Sequence, residues 1–249
     1  MKSSSPWVSL KNDQRARCRL FCFPFAGGGA SAFRLWTRES TEGIEVCPVQ
    51  LPGRENRFGE PAICRLDALV EAMLEPLLPL LDRPFAFFGH SFGGLVAWEL
   101  ARALERRGHT GLVRLFVSAS VAPKYVEGRP PIHRLADAEF LEALRGLNGF
   151  PAEVFEHPEL LRLTMPVMRA DMEAYDTFVD TSRRPVRVPI SVFMGTDDAT
   201  VAREHAAAWG EQTRAGFSLR LFEGDHFFIH SQRTKVLRAI VHDLTDPTR

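Results

Sequence analysis

The segment Phe87-Phe88-Gly89-His90-Ser91-Phe92-Gly93-Gly94 sets a serine between two glycines in the pattern G-x-S-x-G. Where such a segment joins a strand to a helix, the turn is so tight that side chains at the glycine positions would collide with neighbouring backbone. The serine is forced into a strained conformation that pushes its hydroxyl outward. The helix that follows points its N-terminus at the same place, where its dipole favours developing negative charge. These are the parts needed for nucleophilic attack on a carbonyl carbon. A glycine-rich structural turn is the competing reading, and the apolar run before Gly89 with the helical pattern after Ser91 speaks for the nucleophile.

A serine hydroxyl attacks poorly unless a base takes its proton. Of the eight histidines, His90 adjoins Ser91, but the turn directs it away and it reads as structural. His109, His133, His157, His205 and His242 lie in polar or helical surroundings and read as solvated. His226, in Glu223-Gly224-Asp225-His226-Phe227-Phe228, follows the last predicted strand among bulky apolar neighbours that can exclude water. His230 is the second choice. The base in turn needs a carboxylate to fix its tautomer. In strand-to-helix nucleophile folds the order along the chain is serine, acid, histidine. Gly195-Thr196-Asp197-Asp198-Ala199-Thr200-Val201 occupies the right place, after a predicted strand. Asp198 is preferred to Asp197 because G-x-x-D-x-x-V is the usual loop spacing, and Asp225 is too close to His226 to reach round its ring. Donors for an oxyanion would be the backbone N–H of Phe92 and one from the loop Pro24-Phe25-Ala26-Gly27-Gly28-Gly29, with Ala26 first and Phe25 next. Neither G-x-x-x-x-G-K-[ST] nor G-x-G-x-x-G is present, so this glycine run is not read as a phosphate loop.

These residues need a scaffold that puts loops at one end of a sheet. Short apolar runs at 20–23, 44–49, 85–88, 112–117, 190–194 and 218–222 alternate with helical patterns at 66–81, 92–107, 202–212 and 231–244. That alternation predicts an α/β fold with a mostly parallel central sheet flanked by helices. The wholly apolar 85–88 run suits a central strand buried on both faces, and Gly108 suits a helix end. Pro76 and Pro79 must shorten or kink the first helix. Between about 122 and 186 the alternation stops. This stretch reads as a helical insertion of about 60 residues, too long for an ordinary loop. Within it Phe140, Leu141, Leu144 and Leu147 mark one amphipathic face, and Leu161, Met165, Met168, Met172 and Tyr175 another, which Pro166 is expected to divide into two helices.

One domain, 18–249, follows a tail over 1–17 that is expected to be mobile. Lysine plus arginine and aspartate plus glutamate are 31 each, giving a formal net charge of zero. That balance gives no support for a nucleic acid or an anionic membrane as partner. The N-terminal residues lack the apolar stretch of a signal peptide, and no apolar run reaches the roughly 18 residues needed to span a bilayer. The expected location is the cytoplasm. Cys18, Cys22, Cys47 and Cys64 form no C-x-x-C pair and read as reduced thiols, with no closely spaced set of zinc ligands.

The runs Phe23-Pro24-Phe25-Ala26-Gly27-Gly28-Gly29, Gln50-Leu51-Pro52-Gly53-Arg54, Gly89-His90-Ser91-Phe92-Gly93-Gly94 and Gly224-Asp225-His226-Phe227-Phe228, with Asp198 in its loop, resemble the type II thioesterases of polyketide and nonribosomal peptide synthesis. The likeness covers about 19–244. Asp225 stands where that family often has a second glycine. The resemblance implies an α/β-hydrolase fold with a helical lid and a Ser91–Asp198–His226 triad. It also implies hydrolysis of acyl thioesters from the phosphopantetheine arm of acyl or peptidyl carrier proteins, clearing wrong or stalled units. No metal or cofactor of the chain's own is then needed, since the pantetheine belongs to the partner. Phe25, Met168, Met172, Phe178 and Phe227 are the candidates for an acyl pocket tolerant of varied chains. Arg54, Arg57, Arg129 and Arg134 are candidates for a basic patch facing an acidic carrier. The same triad would also serve a general carboxylesterase or lipase, or an acyltransferase. A hydrolase fold kept as a receptor or scaffold would leave Ser91 unreactive.

Overall fold

Each predicted strand is present in the computed structural model, which describes residues 5–8, 10–11, 13–39, 43–146 and 156–245. They are β1 (Cys18–Phe23), β2 (Ile44–Pro48), β3 (Phe85–His90), β4 (Leu112–Ser118), β5 (Ile190–Gly195) and β6 (Phe217–Phe222). They form one six-stranded sheet in the order β2-β1-β3-β4-β5-β6, with every neighbouring pair parallel. Parallel neighbours need crossovers, and helices supply them on both faces. The α-helices are α1 (Leu66–Leu77), α2 (Phe92–Arg106), α3 (Asp137–Gly146), α4 (Pro158–Asp176), α5 (Arg203–Ala207), α6 (Phe228–Ser231) and α7 (Arg233–Thr245), of which the last two follow β6, while 3-10 turns span the β1-to-β2 connection.

Alternation along the strands sorts the apolar residues into two layers. Phe21, Phe23, Phe85 and Phe87 point to one face, where they pack with α1, α2 and Trp98. Leu20, Cys22, Ala86, Phe88, Phe116 and Phe193 point to the other, against Trp36, Phe228 and the Val236, Leu237 and Ile240 stripe of α7. All six residues of β3 are buried, as its unbroken apolar run requires. Fully burying each such aromatic is worth about 1.5–3 kcal/mol, so β3 is the firmest place in the sheet from which to mount a strained turn.

The prolines act differently from one another. α1 gives way to a 3-10 turn over Leu78–Leu80, so Pro76 and Pro79 do shorten its end. Pro166, expected to divide the second lid segment, lies inside a single continuous helix of 19 residues. Both Pro166 and Arg162, whose carbonyl loses its usual donor, lie on the exposed side, where water can satisfy that carbonyl and the helix need not break. The expected mobile tail is also corrected. Trp7 and Val8 are buried in the core, Val8 bridges to Val49, and the Arg57 guanidinium lies 4.1 Å over the Trp7 ring. An indole buried in this way removes too much apolar surface from water to stay loose.

The segment between β4 and β5 carries α3 and α4. Phe140 and Leu144 are buried there, while Leu147 of the same expected stripe lies outside the described residues. Arg169 on α4 fastens the pair, donating to the carbonyls of His133 and Leu135 and to Asp137, with its guanidinium 4.2 Å over Phe140. His133, expected in solvent, is instead packed against Asp176 at 2.9 Å. Among the described residues no helix is long and apolar enough to cross a membrane.

Candidate active site

Ser91 sits between β3 and α2 with φ 55° and ψ −120°, a region that non-glycine residues rarely occupy. Its N–H donates to the Ser118 carbonyl at 2.7 Å, which ties the turn to β4. The flanking glycines are required by contact. A Cβ on Gly89 would lie 2.1 Å from the Gly93 carbonyl oxygen, and one on Gly93 would lie 2.2 Å from that of Phe23. Strain at the serine is thus held in place by a backbone crossing that no larger residue permits.

His226 is buried in the loop after β6. Its Nδ1 donates to Asp198 Oδ2 at 2.9 Å. Asp198, buried in the loop after β5, is further held by the Thr200 N–H at 2.9 Å and the Thr200 hydroxyl at 2.7 Å, both on Oδ1. The Thr200 hydroxyl also lies 2.9 Å from His226 Nδ1. Burial pushes the Asp198 carboxyl up, but the hydrogen bonds and charge of His226 and the two Thr200 bonds outweigh it, so the group lies below the usual carboxylate range. Asp197 is exposed and its N–H goes to the Gly224 carbonyl, so the structure pairs Asp198, not Asp197, with the imidazole. With Nδ1 engaged, Nε2 of His226 is left buried and without a hydrogen-bond partner.

Ser91 and His226 share the wall of one cavity, partly open to solvent, with Ala26 and Phe92. Ala26 belongs to the loop after β1, where the Gly28 N–H closes a turn on the Phe25 carbonyl at 2.9 Å. Phe92 is the first residue of α2, where an N–H has no partner within its own helix. Both expected donors therefore border the space beside Ser91.

His90 is buried beneath the site, with Nδ1 2.9 Å from the Ser118 hydroxyl and its ring 5.3 Å from that of His226. Burial first, and then the neighbouring His226 and His230, hold it well below the usual histidine range. It is structural, as read. His230 is exposed and stacks on Phe227.

The acyl-pocket expectation is corrected. Of Phe25, Met168, Met172, Phe178 and Phe227, only Met172 lines the cavity. Met168, one turn earlier on α4, is buried in the core, and Phe178 lies beyond the helix end against Trp98. Phe25 and Phe227 pack edge to face on each other at 5.0 Å. The wall is instead completed by Val121, Arg129, Tyr175 and Val201. Burial pushes the Tyr175 phenol up to about 12 against the nearby Arg129. The basic patch is corrected too. Arg54 and Arg57 are buried and committed to internal hydrogen bonds, which leaves Arg129 at the cavity and Arg134 on the surface. Among the described residues no cluster of three or more His, Cys, Asp or Glu is arranged to hold a metal ion.

Residues 18–244 match the thioesterase domain family. The chain belongs to that family. This thioesterase is 38% identical over 238 residues to gramicidin S biosynthesis protein GrsT of Aneurinibacillus migulanus, covering 96% of this chain and 93% of the relative. It is 40% identical over 242 residues to linear gramicidin dehydrogenase LgrE of Brevibacillus parabrevis, covering 96% and 92%. Among solved structures, the type II thioesterase BorB from the borrelidin biosynthetic cluster superposes with a TM-score of 0.86 at 34% identity, covering 95% of this chain and 96% of BorB. The thioesterase has the α/β-hydrolase fold and is a thioester hydrolase similar to type II thioesterases.

Proposed function

We propose that the thioesterase hydrolyses acyl groups held as thioesters on the phosphopantetheine arm of acyl or peptidyl carrier proteins, freeing carriers blocked by wrong or stalled units in the cytoplasm. The names of GrsT and BorB, each tied to assembly of a natural product, support this substrate class. The observation that carries the chemistry is the strained Ser91 sharing a cavity wall with an imidazole whose Nδ1 is taken by Asp198 and whose Nε2 has no partner.

Ser91 Oγ attacks the thioester carbonyl carbon while its proton passes to His226 Nε2. Negative charge grows on the carbonyl oxygen, where the N–H groups of Ala26 and Phe92 can receive it, and the α2 dipole has the same sign of effect. Collapse expels the pantetheine sulfur, which takes the proton from His226 and leaves an acyl-serine. Water then repeats the attack with His226 as base, and the acid is released with Ser91 restored. Asp198 stays ionised throughout and stabilises the imidazolium. The chain needs no cofactor of its own on this route, because the thiol leaving group arrives on the carrier.

The test is mass-spectrometric release of acid from several acylated carrier proteins, set beside acyl-N-acetylcysteamine and simple esters, with Ser91→Ala as control. Carrier thioesters should turn over fastest and the alanine variant should lose activity by about 10³-fold or more. Equal rates on simple esters would assign a general esterase, and an unaffected alanine variant would remove Ser91 from the mechanism.

A further inference from the structure

The lid helix α4 reaches into the loop that carries an expected oxyanion donor. Asp171 on α4 is almost fully buried, at 1% exposure. Its Oδ2 accepts the backbone N–H of Gly27 at 2.7 Å. The same carboxylate holds Arg54 in two bonds, Nη1 to Oδ2 at 2.6 Å and Nη2 to Oδ1 at 2.9 Å. Arg54 reaches on to the Gly28 carbonyl at 3.3 Å and the Pro52 carbonyl at 3.1 Å. Gln50 completes the frame, accepting the Ala30 N–H at 2.8 Å and donating to the Arg54 carbonyl at 2.9 Å. Three successive parts of the loop after β1 are therefore pinned by side chains from elsewhere. The Gly27 contact is made by a residue 144 positions away, on the lid.

Ala26 precedes Gly27, so the orientation of the Ala26 N–H depends on a loop whose next N–H is fastened to Asp171. Neither Asp171 nor Arg54 lines the cavity, and Ala26 does. We propose that Asp171 and Arg54 are positioning residues for the oxyanion hole: the carboxylate fixes the loop and the guanidinium neutralises it. Neutralisation is essential to the design. An unpaired carboxylate this close to the hole would oppose the charge that forms on the substrate oxygen, and the low local dielectric would amplify the opposition. Paired bidentately, it anchors the loop while presenting little net charge. The hole is complete only while α4 is seated on the domain.

This inference rests on the acyl-transfer reading of the site, and the experiment separates the two. Steady-state hydrolysis of an acyl-N-acetylcysteamine is measured for wild type, Asp171→Asn, Arg54→Gln and the double variant. Binding of an alkyl trifluoromethyl ketone, which adds to Ser91 and places an oxyanion in the hole, is measured beside a thioether analogue that does not react. Arg54→Gln should lower kcat by about tenfold or more, up to the ~10²–10³ that outright loss of one oxyanion donor costs, with KM nearly unchanged. Ketone affinity should fall with it and thioether affinity should not. Asp171→Asn keeps an oxygen for the Gly27 N–H and should fall less. The double variant, free of net charge, should recover activity relative to Arg54→Gln. Should Arg54→Gln fail to fold, as breaking a buried pair can cause, Asp171→Asn and the double variant carry the same comparison. An active wild type with unchanged kcat and ketone affinity in the variants overturns this inference alone, as does a loss confined to KM. A wild type inactive on every thioester overturns the reading of the site as well.

Discussion

Thr200 binds both members of the Asp198–His226 pair, and removal of its hydroxyl gives the sharpest test of that pair. Thr200→Val keeps the branched shape but deletes the hydroxyl that donates to Asp198 Oδ1 at 2.7 Å. A hydrogen bond to a charged group is worth about 1.5–3 kcal/mol. Asp198 keeps the Thr200 N–H at 2.9 Å and the His226 Nδ1–H at 2.9 Å, so only part of that energy should reach the transition state. Taking about 1–2 kcal/mol, kcat should fall by roughly 5–30-fold. The pH dependence gives a second readout. Thr200 is one of the causes that hold the Asp198 carboxyl below its usual range against the upward push of burial. A depressed carboxyl adds stability above its unfolded value and loses it as pH falls through the folded value. Without the hydroxyl the depression shrinks, so protonation of Asp198 and the acid loss of activity should begin at higher pH, while the stability that the ionised carboxyl contributes above its unfolded value should be smaller. The assay is thiol release from acyl-N-acetylcysteamine as a function of pH, beside Thr200→Ser, which retains the donor and should stay near wild type. A Thr200→Val enzyme within about twofold of wild type at every pH would refute this assignment of energy, and a serine variant as impaired as valine would shift the effect from the hydroxyl to packing.

Asp198→Asn should reduce kcat by about 10⁴-fold while Asp197→Asn stays near wild type, because of the two carboxylates it is Asp198 that meets His226 Nδ1; comparable losses would reassign the acid. His90 is held well below its usual value of 6.5, so the unfolded chain binds a proton that the native site refuses and stability declines as pH falls below that value. His90→Asn should flatten the decline in stability between pH 7.5 and 5, read from denaturation curves compared across that range, and an unchanged pH slope would count against a buried neutral imidazole.

What sequence could reveal here is what local chain geometry dictates. The β3 run, the G-x-S-x-G turn and the His226 loop each signal their own conformation within a few residues, so sheet order aside, the catalytic end of the fold could be read directly. Asp198 was separable from Asp197 by loop spacing alone, and the hydrogen bond to Nδ1 agrees. The misreadings share another cause. Arg54 looks like a surface cation until Asp171, 117 positions later, is brought to it. Met168 and Met172 share a helical face by spacing, yet only the second meets the cavity, since periodicity gives the buried face without saying what lies across from it. Trp7 sits in a polar stretch whose composition says tail, and one indole with the Arg57 guanidinium above it outweighs that composition. Thr200 gave no signal because a threonine near an aspartate is common and only the fold makes it a donor to that carboxylate.

The insertion ties two properties together. Within two turns of α4, Met172 and Tyr175 face the cavity while Asp171 faces the Gly27 N–H and Arg54. Adjacent residues on a helix point about 100° apart, so the segment that shapes the cavity wall also fastens the loop bearing Ala26. A change at 172 or 175 that merely resizes the wall should alter acyl preference by the modest amounts that hydrophobic pockets command, about 1–3 kcal/mol per methylene. A change that shifts the whole helix should reach the oxyanion loop through Asp171 and lower turnover for every acyl chain alike. Acyl profiles of Met172 variants distinguish the two: selective loss marks a wall effect, and uniform loss marks a displaced anchor.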